Sequence, residues 1–125
     1  MQNIILNQKM FLRLNHKNLD VYKAARELLK LSYQITKKLP PEEKFNLSSQ
    51  IKMSALSVIL NIAEGSSRKS LVERKRFYQI SRSAVIEIDA AAEVIIELGY
   101  LKVDDLRSLG IFLNKTFSML TKMIG

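Results

Sequence analysis

Residues 19–41 read LDVYKAARELLKLSYQITKKLPP, and the fold follows from how this stretch is punctuated. Val21, Ala24, Leu28, Leu31 and Ile35 recur at spacings of three and four, with Asp20, Lys23, Glu27, Lys30, Gln34 and Lys37 in a parallel polar row. That pattern predicts an amphipathic helix over residues 19–39. Pro40-Pro41 ends it, because neither ring donates a backbone hydrogen bond and the residue before a proline avoids the helical region.

Working outward, Pro41 suits the first turn of a second helix, where Glu42 and Glu43 meet the positive end of the dipole. This helix is expected to run to Glu64, ended by Gly65-Ser66-Ser67. Leu47, Ile51, Ala55, Val58 and Ile62 line one side and Met53, Leu56, Leu60 and Ala63 another, which predicts the most buried helix of the chain. Ser70 followed by Glu73 is a capping box that opens a third helix, with Phe77, Ile80, Ala84, Ile88, Ala91, Ile95 and Leu98 as its apolar stripe and Gly99 as its terminator. A fourth begins near Asp104-Asp105 and directs Leu106, Leu109, Leu113, Phe117 and Leu120 inward. Short connections make the expected class all-α, an antiparallel up-down-up-down four-helix bundle over residues 16–125. Residues 1–15 are set apart as a weakly ordered extension.

The composition limits the chemistry. With 125 residues, 47% hydrophobic and 26% charged, the chain has the content of one globular domain. No cysteine is present, so disulfides, iron–sulfur clusters and Cys-based zinc sites are excluded, and with His16 as the single histidine neither Ser-His-Asp catalysis nor a His-rich metal centre is expected. His16 itself reads as an exposed or capping residue. Glu87, Asp89 and Glu93 read as surface carboxylates, and no Gly-rich phosphate loop occurs. The expectation is a protein without catalytic residues, metal or cofactor. Lys9 and Arg13 interrupt the apolar start before any export signal is complete, and no apolar run approaches the roughly 20 residues of a membrane span, so a cytoplasmic protein is expected. Twenty Lys and Arg against twelve Asp and Glu give a formal charge of +8, the balance of a protein that meets polyanions.

Gln50, Ser54, Ser57, Asn61 and Glu64 recur at 4, 3, 4, 3 and form one narrow stripe at about 100° per residue. Flanked on both sides by apolar residues, the stripe reads first as a structural polar network, with a solvated face and direct ligand contact as alternatives. The stripe leads into SVILNIAEGSSR, Ser57 to Arg68. This run resembles the signature of the four-helix-bundle family encoded in intervening sequences of bacterial 23S ribosomal RNA genes. NLDVYKAARELL, KKLPPEEKFNLSSQI, RFYQISRSAVIEIDAAAEV and LGYL agree in order, so the resemblance covers residues 16–124. It implies a bundle that assembles as a homopentamer without established enzymatic activity. The family is similar in turn to the accessory variability determinant of diversity-generating retroelements, a basic pentamer that partners a reverse transcriptase and binds nucleic acid. Ser57, Asn61, Glu64, Gly65 and Arg68 carry over as signature positions. Ser66-Ser67 depart from the aromatic or glycine pair often found there.

Arg68, Lys69, Arg74, Lys75, Arg76 and Arg82 face only Glu73 within residues 67–83, the strongest local charge bias of the chain. Lys75 and Arg82 are seven apart and share a helix face, with Tyr78 near it and placed to stack on an exposed base. Asp89, Glu93 and Glu97 follow, so cations gather at the helix N-terminus and anions at its C-terminus, opposite to the preference of the dipole. The block reads as a phosphate-binding patch, as one half of an intersubunit ion-pair set, or as a solvated face. Val85, Ala92 and Ile96 to one side of the helix-three stripe, and Ala90 and Val94 to the other, exceed what one core needs and imply oligomerisation. The favoured reading is an oligomeric scaffold that binds structured RNA, or another nucleic acid, through multivalent basic contacts, with a protein-interaction adaptor as its rival.

Overall fold

The computed structural model describes residues 11–125. Four α-helices are present, α1 (Asp20–Thr36), α2 (Leu47–Ser66), α3 (Leu71–Glu97) and α4 (Arg107–Ile124), with no strand among the described residues. Each helix packs on the next in sequence and α4 closes on α1, while the diagonal pairs make no comparable contact. Short turns between neighbours reverse the chain each time, which is the up-down-up-down bundle expected from the periodicity. Leu28, Ile51, Val58, Ile62, Ile88, Ile95 and Leu120 fill the shared core and are almost wholly inaccessible. Of the extension read over residues 1–15, residues 1–10 lie outside the described residues. Phe11, Leu12 and Leu14 are exposed ahead of a 3-10 turn over Asn15–Asn18.

The helix ends differ from expectation for local reasons. α1 stops at Thr36, and i→i+3 bonds at Lys37, Lys38 and Leu39 tighten the chain so that Leu39 is buried before Pro40. Pro41 opens only a 3-10 turn, Pro41–Glu43, and the chain breaks at Asn46 (φ −127°, ψ −101°) before α2 starts at Leu47. Glu43 folds inward rather than lying along a helix start. Its carboxylate accepts from the Tyr100 hydroxyl at 2.7 Å, Asn46 Nδ2 at 3.2 Å and Leu47 N at 3.4 Å, capping α2 and joining the α1–α2 and α3–α4 connections. Ser70 caps α3 as expected, accepting from Glu73 N at 3.2 Å, while the Glu73 carboxylate pairs with Arg76. Gly99 (φ +76°) ends α3 in a Schellman motif: Gly99 N donates to Ile96 O at 2.9 Å and Tyr100 N to Ile95 O at 3.1 Å. Asp104 and Asp105 belong to a 3-10 turn, Val103–Leu106, and the α-helix follows from Arg107.

Ala84, Ile88, Ala91 and Ile95 of the predicted α3 stripe are buried, and the buried face is shifted from the predicted one toward the helix ends. Tyr78, Ser81 and Val85 point inward, whereas Ile80 and Leu98 are exposed and Phe77 is half-buried. Close approach of α2 explains the choice. Gly65, predicted to end α2, instead lies in its last turn, where a Cβ would sit 2.9 Å from Tyr78 Cε1 and 3.0 Å from Phe77 Cβ. Only the missing side chain admits the Tyr78 ring. One turn further in, the small Ser81 donates to Val58 O at 2.7 Å across the same interface. α4 behaves similarly: Thr116 occupies the core, its hydroxyl satisfied by Phe112 O at 2.7 Å, and Phe117 lies outside. α2 is not covered all round, because Met53, Leu56 and Leu60 form an exposed outer ridge.

Candidate functional site

Antiparallel packing brings the end of α2, the start of α3 and the end of α4 to one end of the bundle, and the basic residues gather there. Arg68, on the α2–α3 turn, pairs with Glu64 at 3.0 Å and holds its guanidinium 4.9 Å from the Phe77 ring centroid. Arg76 lies 5.5 Å from the same centroid and pairs with Glu73 at 3.5 Å. Arg74 Nε donates to Arg68 O at 2.6 Å, which ties the first turn of α3 back onto the connection. Lys69 is exposed and has no bonded partner among the described residues. Arg68, Lys69, Arg74 and Arg76 thus share one corner, with Phe77 as the platform for two of them.

Lys75 and Arg82 belong to the adjoining face. Arg82 Nη1 donates to Thr121 Oγ1 at 3.2 Å and its guanidinium lies 5.6 Å from the Phe117 centroid. Lys75 Nζ reaches within 3.5 Å of the point where a side chain on Gly125 would begin. Lys122, in the last turn of α4, adds to this end a cation from outside the basic block of residues 67–83. Such exposed ion pairs contribute only about 0–1 kcal/mol each, so their effect here is to position guanidinium groups rather than to hold the fold. Both arginines on Phe77 remain substantially exposed beside their carboxylates.

Tyr78 does not belong to this surface. It is 6% exposed, its ring packs against Gly65, and its hydroxyl shares a 2.9 Å hydrogen bond with Ser66. A ring so enclosed cannot stack on a base, which corrects its sequence assignment. Phe77, read as core, is the aromatic that meets the cations. The misassignment has one source, the shifted buried face at the start of α3.

The polar stripe of α2 is bonded in three separate pieces. Gln50 Nε2 donates to Ser54 Oγ at 3.1 Å, and Ser54 Oγ donates to Glu87 Oε2 at 3.1 Å, linking α2 to α3. Asn61 Nδ2 donates to Ser57 O at 2.8 Å and Ser57 Oγ at 3.1 Å, within its own helix. Glu64, at the end of the stripe, joins the basic corner through Arg68. Every member therefore has an internal partner. His16, expected to be exposed or capping, is buried and meets the Tyr22 ring edge-on at 4.8 Å. Burial, then the Lys17 charge, holds its pKa below the ordinary histidine value. No group of three His, Cys, Asp or Glu among the described residues could hold a metal ion.

Fold and surface together define an all-helical bundle whose one chemically distinctive region is a cationic corner built on Phe77. The chain belongs to the 23S rRNA-intervening sequence protein family, whose profile matches residues 17–122. No curated protein matches it. No helix among the described residues is long and apolar enough to cross a membrane.

Proposed function

We propose that the protein is a non-enzymatic, self-associating cytoplasmic scaffold that binds nucleic acid, structured RNA above all, through the basic end of the bundle. The observation that carries this reading is the placement of Arg68 and Arg76 on one aromatic ring, 4.9 and 5.5 Å from its centroid, with Arg74 bonded to the same turn and Lys69 beside them. Guanidinium groups held in this way lose less side-chain freedom on meeting a phosphate, whose oxygens match their paired donors. Lys75, Arg82 and Lys122 extend the surface along the α3–α4 side. Contacts of this type read charge and backbone shape rather than base identity. The 23S rRNA named in the family description fits a structured RNA as ligand. Several copies, five as the resemblance implies, convert individually weak phosphate contacts into strong binding.

Titration of several structured RNAs at a series of salt concentrations tests the reading. Two double variants, Arg68→Gln with Arg76→Gln and Lys75→Gln with Arg82→Gln, are expected to weaken all of the RNAs alike. Each pair is also expected to flatten the slope of log affinity on log salt by up to about 1–2. Unchanged affinity and slope in both variants would leave the corner a solvated face. Recovery of a protein partner that survives nuclease treatment, with no RNA affinity, would favour the adaptor instead.

A further inference from the structure

Two apolar features lie outside the core and on different sides of the bundle. The first is the α2 ridge, where Met53, Leu56 and Leu60 recur at three and four and are 63%, 39% and 61% exposed. The ridge leans toward α1, since its neighbour Lys52 lies over the ring of Tyr33 on that helix at 5.5 Å. The second is a groove along the α3–α4 seam, formed by two adjoining hollows of about 300 and 280 Å³ that share Asp89 and Leu113. Its walls include Ala92, Ile96 and Val103 at one end and Ile86 and Phe117 at the other. In the cyclic order α1–α2–α3–α4, the α3–α4 seam lies across the bundle from the α1–α2 side, so ridge and groove face opposite ways.

Gly110 supplies an independent observation. It lies in α4 and lines the groove, yet a Cβ built on it meets nothing within 4 Å. Glycine is the poorest interior helix residue apart from proline, and here no contact within the chain requires it. Its effect is to deepen the groove.

The geometry points to a second copy of this chain as the occupant, with the Met53–Leu60 ridge of one copy seated in the α3–α4 groove of the next, over Gly110. The ridge fits inside the groove: Met53 to Leu60 spans about 10 Å along α2, and the groove runs about 15 Å along α3 from Ile86 to Ile96. Charges agree as well: Asp89 and Glu93 rim the groove, the cation that lines it, Arg107, is paired with Asp104, and Lys52 flanks the ridge. Because the two surfaces differ, the contact is head-to-tail and joins each copy to a different neighbour, as a ring or filament requires. This inference rests on the self-association proposed above and specifies which faces make it. It leaves the Phe77 corner free, because Arg68, Arg74 and Arg76 line neither surface, whereas Arg82, packed on Phe117, stands at the end of the groove.

The absence of cysteine in the chain allows a direct test by disulfide cross-linking. Leu60→Cys and Gly110→Cys chains, mixed and oxidised, are expected to give a covalent dimer, whereas each alone stays uncross-linked. One chain carrying both changes is expected to give a ladder of dimers, trimers and larger species. Efficient cross-linking by Leu60→Cys alone would show ridge against ridge and overturn the proposal. An oligomer by light scattering that gives no mixed cross-link would overturn it too. A parent chain that is monomeric by light scattering would instead defeat self-association itself. As a second variant, Gly110→Trp starts from a position where a Cβ meets nothing within 4 Å and fills the groove. It is expected to keep its helical circular dichroism while its mass falls to that of one chain, and an unchanged mass would contradict the docking.

Discussion

Replacing the two helical glycines, Gly65 and Gly110, by alanine is expected to shift stability in opposite directions. At Gly65 a new Cβ would lie 2.9 Å from Tyr78 Cε1, 3.0 Å from Phe77 Cβ and 3.1 Å from Tyr78 Cδ1. None of these atoms yields easily: Tyr78 is buried and bonded through its hydroxyl to Ser66, and the Phe77 Cβ moves only with the α3 backbone. Overpacking of this kind costs about 1–3 kcal/mol, and the better helix propensity of alanine offsets about 1 kcal/mol of it. The expected net effect of Gly65→Ala is a loss of up to about 2 kcal/mol. At Gly110 nothing stands within 4 Å, so only propensity acts and Gly110→Ala is expected to gain about 0.5–1 kcal/mol. Urea unfolding followed by circular dichroism, at protein concentrations where the midpoint no longer changes with dilution, measures both. Gains of equal size in the two variants would show that α2 and α3 are not held at the distance that makes Gly65 necessary, and the explanation of the α3 register would fail with it.

Ser81→Ala removes a buried 2.7 Å bond between helices and is expected to cost about 0.5–1.5 kcal/mol in the same assay, more than Asn61→Leu, whose lost bonds lie within one helix. His16 has a folded-state pKa below the ordinary value of 6.5, so the unfolded chain takes up the proton first. Its contribution is therefore full above about pH 6.5 and falls as the pH drops through the interval between the two values, and a His16→Phe variant should lose less between about pH 7.5 and 5. Tyr100 behaves in the other direction: its bond to Glu43, then burial, raise its pKa above 10.0, so its contribution is complete below pH 10 and declines as pH rises through the folded value. Tyr100→Phe is expected to abolish that alkaline decline and to lower stability at neutral pH, both visible in pH-dependent unfolding midpoints.

Features written in local code were legible in the sequence. Pro40-Pro41 marks the α1–α2 connection, Ser70 caps α3, and Gly99 takes the left-handed conformation that closes it, because each acts on backbone groups only a few residues away. The middle of the α3 stripe, Ala84 to Ile95, was legible, but its first turns were not, since the choice between Tyr78 and Phe77 as the inward ring depends on Gly65, a residue of another helix. Tyr78 and Phe77 exchanged roles for that reason. The Glu43–Tyr100 bond joins residues 57 apart and has no local signature. The cationic block could be read as a run of charges, but its division into a Phe77 corner and an α3–α4 face, and the addition of Lys122, depend on which helices end together. The bonds of the polar stripe fall into separate local pieces, and the one that reaches α3 ends on Glu87, a surface carboxylate whose position beside Ser54 has no local signature.

Nucleic acid held at the basic end of the bundle would shield the lysines there, which lysine footprinting reads. The parent protein is acetylated with and without a saturating structured RNA, and each lysine's reactivity is read by peptide mass spectrometry. Lys69, Lys75 and Lys122 mark the basic end, while Lys37, Lys38 and Lys102 lie at the opposite end, beside the α1–α2 and α3–α4 connections. The account predicts that Lys69, Lys75 and Lys122 lose reactivity in the complex and that Lys37, Lys38 and Lys102 keep theirs. Equal protection at both ends, or protection confined to Lys37, Lys38 and Lys102, would contradict it.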